Sequence, residues 1–160
     1  MGLDAVVHCD CYVKGRLRTP PPRPELVYVD KNGVLNCNDG DDDEIYFEFQ
    51  RWLCNQACEH TDGLLAHEHL GNLSLIGRLR AELENAELSF PSLLGKVLYN
   101  GTHSGDFIEA AEARQIDSEL SVLSSFHSID PEAEARIRSF EFQMRKIVIA
   151  TLQTGNPISF

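Results

Sequence analysis

Leu3-Asp4-Ala5-Val6-Val7-His8-Cys9-Asp10-Cys11-Tyr12-Val13 is the stretch on which the fold turns. Side chains of a strand alternate between two faces. On that period Leu3, Ala5, Val7, Cys9, Cys11 and Val13 share one face, and Asp4, Val6, His8, Asp10 and Tyr12 share the other. One apolar face against one mixed face predicts a half-buried strand over 3–13. Cys9 and Cys11 fall on the apolar face, so the alternation expects them packed as small hydrophobes rather than bound to a metal.

Further strands are expected close behind. Leu26-Val27-Tyr28-Val29 and Val34-Leu35 flank Asp30-Lys31-Asn32-Gly33, and Asn-Gly between apolar runs signals a hairpin. Thr19-Pro20-Pro21-Pro22-Arg23-Pro24 reads as an extended, stiff connector.

From Ile45 onward the period becomes helical. Ile45, Phe47 and Phe49 alternate as in a strand, but Phe49, Trp52, Leu53 and Ala57 recur at helical spacing, which predicts a helix ending near Cys58. Residues 63–71 read as a short extended segment. Leu75, Ile76, Leu79 and Leu83 mark an amphipathic helix capped by Asn72 or Ser74. Pro91 opens a shorter helix carrying Leu94, Val97 and Leu98. Asp106 with Glu109 has the capping-box pattern for a helix through Ile116, Leu120 and Leu123. Asp130-Pro131 starts the last helix, with Ile137, Phe140, Met144, Ile147 and Val148 as its apolar stripe and Gly155 and Pro157 as its stop. The expected fold is α+β: a small N-terminal antiparallel sheet of two to four strands, packed by four or five helices, in a single domain over 1–160.

Composition bounds the function. The chain has 160 residues, of which 42% are hydrophobic, enough to build a core. No apolar run approaches the roughly 18 residues of a membrane span, and the start Met1-Gly2-Leu3-Asp4 lacks the basic opening of a leader. A cytoplasmic protein is expected. Five cysteines are an odd number, which in that compartment points to free thiols rather than a disulfide framework. The net charge of −11, with scattered Lys and Arg, excludes direct nucleic-acid binding and suits a basic protein partner.

Chemistry-bearing residues gather in Cys54-x3-Cys58-x-His60-x6-His67-x-His69. Thiolate and imidazole are the side chains that hold zinc at neutral pH. On an extended segment His67 and His69 point to one face about 7 Å apart. Cys58 and His60, just past a helix end, would supply two further ligands. Cys58, His60, His67 and His69 are therefore the candidate metal ligands, and zinc the cofactor they suit. Their spacing matches no finger, ribbon or H-E-x-x-H pattern.

Two other places carry candidate residues. The run Asp39, Asp41, Asp42, Asp43 and Glu44 fails as a calcium loop, because aligning Gly33 or Gly40 with the loop glycine puts Tyr28 or Leu35 at the essential first acidic position. It reads instead as a solvated loop feeding acid to a helix N-terminus, with Asp41, Asp42 and Asp43 as candidate contacts to a basic partner. In Gly101-Thr102-His103-Ser104-Gly105-Asp106, His103 and Asp106 are the candidate residues of a small binding site. Neither a G-x-S-x-G turn nor a phosphate-binding glycine loop occurs, so no catalytic nucleophile is assigned.

Several strings, taken together, carry a resemblance: Cys58-Glu59-His60, His67-Glu68-His69-Leu70-Gly71-Asn72, Phe90-Pro91 with Lys96-Val97-Leu98-Tyr99, Gly101 to Asp106, and Asn156-Pro157-Ile158. They span residues 58–158 and resemble a family of small uncharacterised bacterial proteins, which implies no established activity. In size and acidity such chains are similar in character to the immunity proteins of toxin systems. The expected function is a small acidic binding protein, of immunity type, that inhibits a basic partner. The alternative is a metal-binding protein or metal-dependent hydrolase using the Cys/His cluster.

Overall fold

The computed structural model describes residues 2–101 and 105–160. The fold is α+β. The chain forms two compact units, one made of residues up to Val7 together with Ala66–Phe160, the other of His8–Leu65.

The larger unit holds a four-stranded sheet in the order β4-β1-β6-β5, from β1 (Gly2–His8), β4 (Leu64–Asn72), β5 (Phe107–Ile108) and β6 (Ile158–Ser159). β6 runs antiparallel to both neighbours, with Val6 opposite Ser159 and Ile108 opposite Ile158. Leu3, Ala5 and Val7 of β1 are buried, as the alternation predicts. The sheet recruits two C-terminal strands too short to show a period of their own.

Three long helices supply most of the remaining core: α2 (Leu73–Glu84), α3 (Ala110–Leu123) and α4 (Pro131–Thr154). Ile76, Leu79 and Leu83 are buried from α2, Ile116, Leu120 and Leu123 from α3, and Ile137, Phe140, Met144, Ile147 and Val148 from α4. Asn72 caps α2 by accepting from the Leu75 N–H, and Asp130 caps α4 by accepting from the Glu132 N–H. Gly155 ends α4 in the left-handed conformation, φ 79°. Two carboxylates, Glu119 and Glu141, are buried with partners. Glu119 accepts from the Ser92 and Leu93 N–H groups, each at 2.8 Å, and so caps the five-residue π-helical turn Leu93–Val97. Glu141 pairs with Arg138 and Arg145.

The smaller unit contains the expected hairpin, β2 (Val27–Val29) with β3 (Leu35–Cys37). Asp30 shapes its turn by accepting from the Asn32 and Val34 N–H groups, and Gly33 takes the left-handed φ of 78° that the turn requires. Helix α1 (Asp43–Asn55) follows, with Asp42 accepting from the Glu44 and Ile45 N–H groups as its cap. The acidic run thus opens a helix, and 45–49 are helical. Phe49, Trp52 and Ala57 form the core of this unit, with Leu17, Val27, Leu35, Cys37 and Leu53 packed around them. The Trp52 indole N–H donates to the Thr19 carbonyl at 3.1 Å, which ties the polyproline approach to α1.

Two boundaries differ from the sequence reading. The first strand stops at His8 rather than Val13. Beyond it the Lys14 N–H donates to the Asp10 carbonyl and the Arg16 N–H to the Cys11 carbonyl, while the Asp10 carboxylate draws in Lys14 and Arg16. A turn results, and Val13 is exposed. The third helix begins after Glu109, not after Asp106. Phe107 and Ile108 pair with β6 instead, the Phe160 N–H donates to the Asp106 carbonyl, and the Asp106 carboxylate accepts from the Tyr99 hydroxyl. Sheet pairing satisfies this backbone before helix capping can.

Candidate metal centre

The turn that ends β1 determines where the thiols go. The Cys9 N–H donates to the Gly63 carbonyl at 2.8 Å, which lays residues 9–11 beside residues 58–63. On that second segment the Ala57 N–H closes the end of α1 on the Trp52 carbonyl, and Ala57 is buried in the core. The chain then bends through Asp62 and Gly63, both at positive φ (55° and 67°), where glycine is free of the steric cost a side chain brings. Arg18, further along the first segment, donates its N–H to the Ala57 carbonyl at 2.8 Å. Both segments are anchored by backbone bonds before any side chain is considered.

Four side chains meet across them: Cys9, Cys11, Cys58 and His60, with their donor atoms all within 4.8 Å of one another. Cys9 Sγ lies 3.8 Å from Cys58 Sγ, Cys11 Sγ lies 3.3 Å from His60 Nδ1, and Cys58 Sγ lies 3.7 Å from the same nitrogen. A zinc ion at about 2.3 Å from sulfur and about 2.0 Å from nitrogen has tetrahedral edges of about 3.8 Å for S···S and about 3.5 Å for S···N. These three separations match such edges within a few tenths of an ångström, and the other three donor pairs lie within 4.8 Å. The donor set, three thiols and one imidazole, belongs to the soft, thiophilic end of metal chemistry.

The electrostatics fit a cation. Burial pushes the Cys9 thiol up to about 12; the neighbouring Cys58 and Cys11 add to the rise, and the Cys11 backbone N–H bonded to its sulfur opposes it. Burial also raises Cys11, with Cys58 close by. Cys9 and Cys11 are thus held as thiols, and a divalent ion beside them would reverse that preference. Asp10, between the two cysteines, is buried but engaged by Lys14 and Arg16, so it is no competing ligand. His60 Nε2, on the far side of the ring from the sulfurs, lies 3.8 Å from the Glu59 carboxylate, the usual kind of partner for a ligating imidazole. A cavity of about 50 Å³ adjoins the cluster. Cys9, Cys11 and Cys58 line it together with apolar groups such as Tyr12, Leu35 and Leu53; His60 does not.

Of the four ligands expected from sequence, Cys58 and His60 take part. His67 and His69 belong to the larger unit, where both are exposed on β4, and His69 Nδ1 sits 2.8 Å from the Asp4 carboxylate. The four clustered donors of the smaller unit do not include them. Cys9 and Cys11 take the places assigned to the two histidines. Cys54 stays outside the cluster: its thiol is raised chiefly by a hydrogen bond with Asp62. A signal for the true pairing was present, since Cys9-x-Cys11 and Cys58-x-His60 share the same one-residue gap. The alternation of 3–13 hid it by placing both cysteines on a strand that ends before them.

The other sequence candidates divide. Asp41, Asp42 and Asp43 are exposed at the start of α1. Asp106 is bound into the β5–β6 ladder, and His103 lies outside the described residues. Among the described residues no helix is long and apolar enough to cross a membrane. Compared with known protein families, curated proteins and solved structures, the chain matches none.

Proposed function

We propose that this chain is a non-catalytic binding module whose smaller unit is stapled by one structural zinc ion on Cys9, Cys11, Cys58 and His60. The observation that supports this reading is the gathering of four donor atoms within 4.8 Å, three of whose separations are close to the edges of a zinc tetrahedron. Four protein ligands fill the coordination sphere. A metal-dependent hydrolase needs an open position for water, so the same count argues for a structural ion. The unit has a small core, and small cores commonly depend on a metal or disulfide staple.

The test is metal content by plasma mass spectrometry on protein purified without a histidine tag and never exposed to chelator. One zinc per chain is expected, lost in Cys58→Ser/His60→Ala and retained in His67→Ala/His69→Ala. An absence of stoichiometric metal would return the four residues to core and turn roles.

A specific surface favours a basic protein as the partner, as an immunity-type inhibitor would have. Asp41, Asp43 and Glu44 are exposed beside Tyr46 and Phe47, which are themselves 44% and 61% exposed with their rings edge to face at 5.7 Å. Carboxylates steer a cationic partner, and exposed rings give its Lys and Arg side chains a face to stack on. In Asp41→Asn/Asp42→Asn/Asp43→Asn the charge is removed while Asn at 42 still caps α1. Calorimetry against the partner should show at least a tenfold loss of affinity with an unchanged thermal melt. Undiminished affinity removes this face from consideration.

A further inference from the structure

The sulfurs of the cluster, rather than the imidazole, border a cavity. Cys9, Cys11 and Cys58 all line the 50 Å³ space beside the cluster, and His60 is not among its walls. Cys11 and Cys58 are buried, whereas Cys9 is only half-buried. Cys9 Sγ and Cys58 Sγ stand 3.8 Å apart, so closing to a disulfide needs less than 2 Å of further approach. None of the five cysteines is in a disulfide, and the segments bearing this pair are already held together by the bond from the Cys9 N–H to the Gly63 carbonyl.

We infer that the centre is an oxidant-responsive metal switch, in which a small peroxide entering the cavity oxidises Cys9 and Cys58 to a disulfide and expels the ion. The inference rests on the zinc reading above. Its chemistry balances with hydrogen peroxide as the two-electron oxidant. The Cys9 thiolate attacks one peroxide oxygen: an S–O bond forms, the O–O bond breaks, and the hydroxide that leaves takes up a proton as water. Cys9 is then a sulfenic acid. The Cys58 thiolate attacks the Cys9 sulfur: the S–S bond forms, the S–O bond breaks, and the second hydroxide leaves as water with a second proton. Two thiolates, one peroxide and two protons give one disulfide and two waters. Cys11 and His60 alone remain for the ion, and two donors do not hold zinc against solvent. A thiol reductant reverses the step. Cys54, bonded to Asp62, and Cys37, packed on the α1 core, stand outside the exchange.

The test uses the full chain, with zinc content measured first. Zinc-loaded protein is then treated with hydrogen peroxide in the presence of a chromogenic zinc chelator, and the products are mapped by peptide mass spectrometry. Expected are one zinc released per chain, a Cys9–Cys58 linked peptide pair, and full reloading after dithiothreitol and zinc. Cys37→Ser/Cys54→Ser should release zinc at the same rate and with the same linkage. Zinc retained through excess peroxide overturns the switch while leaving the metal site standing. So does release accompanied by sulfinic or sulfonic acids, or by a linkage other than Cys9 to Cys58. A chain that binds no zinc at the first step overturns the site itself, and the switch with it.

Discussion

Zinc affinity should depend steeply on pH, and the steepness can be worked from the cluster. Burial pushes the Cys9 thiol up to about 12, so at pH 7 it is protonated and must give up its proton to bind the ion. Cys11 is also raised, and it too gives up a proton on binding. At least two protons therefore leave for each zinc bound. Each proton released makes affinity change tenfold per pH unit, so the dissociation constant should tighten at least about 100-fold from pH 6.5 to pH 7.5. The assay is competition against a chelator of known pH-corrected affinity, paired with calorimetry in two buffers of different ionisation enthalpy to count the protons. A change of less than tenfold over that unit, with fewer than one proton released, would refute the reasoning. It would mean that the sulfurs do not enter as thiols or do not bind the ion.

Metal-free protein should show the opposite trend in alkali. In the unfolded chain Cys9 ionises near its ordinary 9.0, before the folded group does at about 12, so folding stability is full below pH 9 and falls as pH rises toward 12; urea melts at pH 7, 9 and 10.5 measure this. Cys11→Ser should weaken zinc binding by at least 100-fold in the competition assay, a loss not expected if Cys11 were merely a packed hydrophobe. Glu119→Ala strands the Ser92 and Leu93 N–H groups in the core of the larger unit and should cost about 1–3 kcal/mol in chemical denaturation, with zinc content unchanged. Trp52→Ala empties the centre of the smaller core and should cost about 3–5 kcal/mol, followed by circular dichroism because it removes the only tryptophan.

Much of the fold could be read ahead because periods and caps are local. Asn72, Asp130 and Gly155 each act within a few residues of themselves, and each does what its chemistry predicts. The hairpin around Asn32-Gly33 is local in the same sense. The β5–β6 pairing is not. It joins Ile108 to Ile158, and nothing within two-residue strands announces a partner 50 positions away. The same physics divided the metal centre. Cys58-x-His60 stood out because histidines crowd that stretch, and the strand period drew His67 and His69 in as neighbours. Cys9 and Cys11 meet them only because Asp10, Lys14 and Arg16 fold the chain back after β1, a tertiary event that alternation cannot register.

The four clustered residues come in two pairs that lie 49 positions apart, Cys9 with Cys58 and Cys11 with His60, so an ion held by them would tie everything between as a loop at its stem. In the chain-entropy view such a tie is worth about 4 kcal/mol, taken from the freedom of the unfolded chain. That figure hardly depends on what the loop contains, since doubling its length changes the closure cost by only about 0.6 kcal/mol. Exposed positions of the hairpin turn and of the acidic helix start could therefore exchange residues without loosening such a tie, provided Val27, Leu35, Phe49 and Trp52 keep their core. An ion at the base would leave the exposed residues between the two pairs open to exchange while the fold of the unit is kept.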